Sequence, residues 1–158
     1  KNPGNAKIKR GVDKVTAWER DLDNQARAER EQSLASQRKS HEEASQAGLS
    51  RQLANLRANW GRGKPSELLK SYEALAREHS GDIGPLVEMG NYRLHLAPAE
   101  HNVELRILSL CKAKELFAQA LQLDDYDEAA RTGYEQSSQL IEEAKTEART
   151  HTAAPRRP

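Results

Sequence analysis

Five histidines, one cysteine and 24 acidic residues are the side chains in this sequence that could hold a metal, supply a nucleophile or move a proton. Their spacing offers none of these. His41, His79, His95, His101 and His151 form no His-x-x-x-His pair and no carboxylate–His metal spacing. His95 and His101 straddle Ala97-Pro98 with Glu100 between them, a pattern that reads as a turn. Cys111 falls on an apolar helix face and reads as a small buried hydrophobe, which removes it as a nucleophile. As the single cysteine it also excludes an internal disulfide framework or a multi-cysteine metal site. No glycine-rich phosphate loop follows a strand pattern, and no Gly-x-Ser-x-Gly elbow is present. The carboxylates interleave with bases along helical surfaces, which marks solvated faces rather than an acid–base pair. The expectation is a chain with no catalytic residues, no metal, no cofactor and no small-molecule substrate. What remains is contact chemistry. Trp18, in a polar stretch with Leu22 four residues on, is either an anchor offered to a partner or a side chain packed locally on Val15 and Leu22.

Composition sets the bounds. The chain is 36% hydrophobic and 31% charged, with a single Phe, two Trp and four Tyr, so the core should occupy about half of it. A net charge of +1 creates no global field toward nucleic acid or membrane. No run reaches the roughly 20 apolar residues of a membrane span. The numbering begins at Lys1 rather than Met, so an upstream signal or anchor would lie outside it. The compartment stays open, with the cytoplasm as the default, and membrane contact would come only through a partner or an upstream segment.

The elements follow from periodicity. Residues 1–11, with Pro3, Gly4 and Gly11 and the bases Lys1, Lys7, Lys9 and Arg10, read as a flexible basic arm. Residues 12–47 lack Pro and are rich in strong helix formers. Asp23 with Arg27, Arg27 with Glu31, Arg38 with Glu42 and Lys39 with Glu43 are opposite charges at i, i+4. The apolar seam Val15-Trp18-Leu22 continues onto Gln25, Glu29 and Gln32, so coiled-coil character is short-lived. A long charged helix is expected, with its natural kink at Gly48. Helices follow over 49–60, 65–79, 83–96, 99–123 and 126–149, each with an apolar stripe at helical spacing. Residues 48–149 form the packed domain and 150–158 a disordered basic tail. The fold class is all-α. Phe117, Leu121, Leu86, Met89, Tyr72 and Leu75 should pack together as its core.

The stretch Ala113–Asp125 carries Ala113, Phe117, Ala120 and Leu121 on one face, then Asp124-Asp125, then a new helix. Thirty residues upstream or so, Leu86, Met89 and Gly90 give a large apolar residue, a second one three later and a glycine after that. Together these resemble the second and first helices of a tetratricopeptide repeat. The resemblance covers about residues 49–144, with roughly eleven extra residues between the two halves relative to the 34-residue period, placed at Ala97 to Leu108. The upstream unit is residues 49–82, with Leu68, Tyr72 and Leu75 in second-helix places. The downstream unit keeps only a first helix, and Arg131 stands where a large apolar residue is usual. What the resemblance implies is a stack of antiparallel helix pairs whose first helices line a groove for a peptide or helix. Gly90 would let the partner helix approach its backbone. The groove positions fall on Gly84, Val87, Asn91, Leu94 and His95. Only Asn91 fits the carboxylate-gripping pattern of the chaperone-binding members, since Leu53 and Arg57 replace its other residues, which argues against that subclass.

The functional expectation is therefore a protein–protein interaction scaffold or adaptor, a subunit of a hetero-complex. It would engage other proteins through Trp18 and Leu22 on a projecting N-terminal helix and through Val87, Asn91, Leu94 and His95 in the groove. The alternative is a nucleic-acid-associated accessory factor using the basic arms Lys1 to Arg10 and Pro155 to Pro158. Near-zero net charge and the lack of interleaved aromatic and basic residues weigh against nucleic acid.

Overall fold

The computed structural model describes the backbone of residues 3–153 and the side chains of Trp18 and residues 20–150. The protein is all-α, with α1 (Pro3–Ala58), α2 (Pro65–Glu78), α3 (Gly84–Leu96), α4 (Val103–Leu123) and α5 (Glu128–Ala153). A 3₁₀ turn over Ala97–Ala99 joins α3 to α4, and no strand occurs among the described residues. The chain divides into two units, Lys1–Gly48 and Leu49–Pro158, and α1 contributes to both.

The first unit is a single helix with every described side chain from Trp18 to Ala47 exposed. Of the four charge pairs in its sequence, Lys39 and Glu43 approach to 4.0 Å. The backbone is already helical at Pro3, where the sequence suggested an arm through Gly11, and α1 passes Gly48 without a break. Proline is accepted in a first helical turn because the N–H it lacks has no intrahelical partner there. A lone glycine costs a helix only about 1 kcal/mol relative to alanine. Helix formers on both sides of Gly48 outweigh that.

In the second unit the helices pack in chain order, α2 on α3, α3 on α4 and α4 on α5, and α3 also touches α5. Local chemistry sets the boundaries. The turn after α1 uses Gly61 at φ 78°, a left-handed conformation that favours glycine. Pro65 and Pro85 sit in the first turns of α2 and α3. α4 starts at Val103 rather than 99, because the Asn102 side chain accepts hydrogen bonds from the N–H groups of Glu104 (2.9 Å) and Leu105 (3.1 Å). Asp127 does the same for α5, accepting from Ala130 N–H at 2.6 Å, so that helix starts at Glu128 rather than 126. α5 then runs to Ala153, into the segment read as a tail; residues 154–158 lie outside the described residues.

The core has three parts. Phe117, Val87, Ala113, Ala120 and Ala130 form one, with Leu86 and Leu121 half-buried against it. Leu68, Tyr72, Met89 and Tyr92 form the second, covered by Leu53, Leu56, Trp60 and again Leu86. Ala97, Leu110, Ile141 and Ala144 form the third. The six expected core residues are thus shared out rather than mutually packed: Phe117 and Leu121 belong to one part, Tyr72 and Met89 to another, and Leu86 bridges them. Leu75 is buried outside these clusters.

One contact explains how closely three helices approach. The Phe117 ring lies so near Gly90 of α3 and Gly133 of α5 that a Cβ on either glycine would sit 2.7 Å or 2.4 Å from ring carbons. The third part of the core lies toward the start of α4, where Val103, Ile107 and Leu110 pack with Leu140, Ile141 and Ala144 of α5. An Arg106–Glu147 ion pair ties the two helices beyond them. Cys111 corrects the sequence reading, for it is exposed. The inward stripe runs Leu110, Ala113, Phe117, Ala120, and the next residue after Leu110 is turned about 100° away from it.

Candidate functional site

One recess of the second unit lies between the end of α1 and the start of α3. Ser50, Leu53, Ala54 and Arg57 recur at i, i+3, i+4 and i+7, so α1 presents them as one stripe. Ile83, Gly84, Val87 and Glu88 supply the facing wall, and Asp127 joins the lining. Gly84 brings the two helices together: a Cβ there would meet Leu53 Cδ1 at 3.2 Å. The volume, about 370 Å³, is at the small end of ligand sites, enough for one side chain rather than a large cofactor.

Two charges meet at this recess. Arg57 Nη1 donates to Glu88 Oε1 at 3.3 Å. The arginine side chain is 63% exposed and the glutamate 19%. Glu88 Oε2 is buried and has no hydrogen-bond partner among the described residues. A buried carboxylate oxygen without a donor carries a desolvation cost that a cationic or N–H group would relieve.

An aromatic group holds α1 in place beside it. Trp60 Nε1 donates to Tyr72 Oη at 2.9 Å, and the Trp60 ring lies 5.3 Å from Tyr92. Arg57 lies over the same indole at 5.6 Å from its centre. Burial pushes the Tyr72 phenol above its ordinary range, the Trp60 hydrogen bond opposing. Burial does the same to Tyr92.

A second, shallower recess follows between α3 and α5. Asn91 lines one side and Glu128, Ala129, Thr132, Gly133 and Gln136 the other.

The residues singled out by sequence are distributed unevenly. Val87 lines the first recess from a buried position and Asn91 lines the second. Leu94 is half-buried against two parts of the core. His95 is exposed and stacks on Trp60, centroids 5.1 Å apart and planes at 29°. Trp18 and Leu22 are 64% and 45% exposed on one face of the first unit's helix; the Val15 side chain lies outside the described residues. Glu88, Ser50 and Asp127 had not been singled out. Nothing in their spacing marked them, since a charged or polar residue on a helix surface ordinarily faces solvent. No group of three metal-ligating side chains occurs among the described residues, and none of their helices is long and apolar enough to cross a membrane.

The chain matches no family model, no curated protein and no solved structure. Its function must be argued from the recesses themselves.

Proposed function

We propose that this protein is a non-catalytic interaction module that docks into a larger protein assembly, with its second unit built as a degenerate tetratricopeptide-like stack. In this reading the end of α1, α3 and α5 are the first helices of successive pairs, α2 and α4 the second helices, and pairs run antiparallel. Their first helices line the groove in which a segment of another protein lies.

The observation that carries the reading is the succession of two recesses along α3, one bounded by α1 and the other by α5. A polypeptide segment laid along α3 would touch both. The packing order supports the stack, since α3 touches α5 as well as its chain neighbours α2 and α4. The Phe117 ring against Gly90 supports it too, because close approach at that glycine is what the repeat resemblance implies. Trp18 and Leu22 offer a second contact, since an indole 64% exposed, with a leucine 45% exposed four residues on, is the kind of apolar surface a partner can anchor on.

Site-specific photo-crosslinking tests the groove. A photoreactive residue replacing Ala54, which is exposed in the first recess, should capture the partner in cells; the same residue replacing exposed Lys70 on α2 should not. Capture only from Lys70 would overturn the assignment of the groove.

A further inference from the structure

We infer that the recess between α1 and α3 accepts a lysine or arginine side chain from the partner polypeptide. This rests on the groove reading above and adds the chemistry of the ligand. The walls are suited to an aliphatic stem: Leu53, Ala54, Ile83 and Val87 line them. Glu88 lines the same recess, with one oxygen on Arg57 and the other buried and without a hydrogen-bond partner among the described residues. Asp127 adds a second carboxylate, so the charged groups at the recess sum to one net negative charge. Long basic side chains lay their methylenes on apolar surface and carry the charge to a polar end. A cation here would give Glu88 Oε2 the donor it lacks.

The neighbouring helix ends do not turn the recess toward anions. Pro85 in the first turn of α3 has no N–H, and Val87 N–H already donates to Ile83 C=O. Asp127 occupies the start of α5, accepting from Ala130 N–H. Arg57 is half of an ion pair with Glu88, and its side chain is the more exposed of the two.

The test uses the ¹⁵N-labelled full chain and short capped peptides of one sequence whose central residue is lysine, norleucine or glutamate. Norleucine keeps the aliphatic stem without the charge. The lysine peptide should shift the amides of Ala54, Gly84 and Val87 saturably and bind about tenfold more tightly than the norleucine peptide, as a charge-assisted hydrogen bond implies. Glu88→Gln, which keeps the shape and an acceptor for Arg57, should abolish that difference while leaving the rest of the spectrum in place. Ala54→Arg, which fills the recess from α1, should block the lysine peptide. Equal binding of lysine and norleucine peptides at these amides, or tighter binding of the glutamate peptide, would overturn the basic-residue assignment and leave the groove standing. Shifts at none of these amides with any peptide would overturn both.

Discussion

Adding one methyl group at Gly133 tests the closest packing in the molecule. A Cβ there would lie 2.4 Å from two carbons of the Phe117 ring, and Gly90 already abuts the same two carbons, so the ring has little room to shift. Phe117 is completely buried, so it cannot swing into solvent either. Forcing a methyl into such a site costs about 1–3 kcal/mol. Alanine in a helix interior recovers about 1 kcal/mol over glycine. Gly133→Ala should therefore destabilise by up to about 2 kcal/mol, a fall of roughly 4 °C in midpoint for each kcal/mol. Phe117→Ala alone should cost about 3–5 kcal/mol. In that background the clash is gone, and Gly133→Ala should stabilise by about 1 kcal/mol. The two effects differ by about 1–3 kcal/mol, which is the coupling energy a double-mutant cycle measures. Urea unfolding of the four full-length proteins, followed by circular dichroism, supplies it. Stabilisation by Gly133→Ala in the unaltered protein, or strict additivity, would show that the ring does not pack against Gly133.

Three further outcomes are expected. Asn102→Ala removes the acceptor for two N–H groups at the start of α4 and should lower stability by about 0.5–2 kcal/mol, with Asn102→Asp close to neutral. The Tyr72 phenol is raised by burial, so the fold favours its neutral form. That stabilisation is complete below about pH 10, the ordinary tyrosine value, and is lost as pH rises through the higher folded value. Urea stability should decline above pH 10, and less steeply in Tyr72→Phe. Cys111, being exposed, should react with a thiol reagent in the native protein as fast as in the denatured one; protection would mean that α4 is rotated.

The all-α class and the order of the helices were legible because apolar residues recur at helical spacing from Leu49 onward, and this spacing survives even where the repeat register fails. Phe117 and Gly90 were both singled out by the sequence resemblance, and the structure packs them together. Gly133 was not, because Arg131 interrupts the pattern two residues before it. Cys111 was misplaced by a single step around the helix: Leu110 and Cys111 are equally apolar in sequence, and only packing against α5 selects Leu110. The start of α4 was set too early because Ala99 and Glu100 are good helix formers, whereas the cap at Asn102 decides the matter. Of the residues named from the resemblance, Val87 lines the first recess and Asn91 the second. Glu88 was not named, because its partner Arg57 precedes it by thirty-one residues and a charge on a helix surface usually means solvent.

The placement of the two tryptophans makes the protein its own optical instrument. Trp18 stands exposed in the first unit, and Trp60 is packed among Tyr72, Tyr92 and His95 in the second. Trp18 should emit as a hydrated indole, while the emission of Trp60 should depend on neighbours that the folded state supplies. Trp18→Phe therefore leaves a fluorophore that reports residues 49–158 alone, and Trp60→Phe leaves one that reports the solvated helix alone. Melting each variant in turn reads the two units separately, and coincidence or divergence of the two curves measures how far they unfold as one.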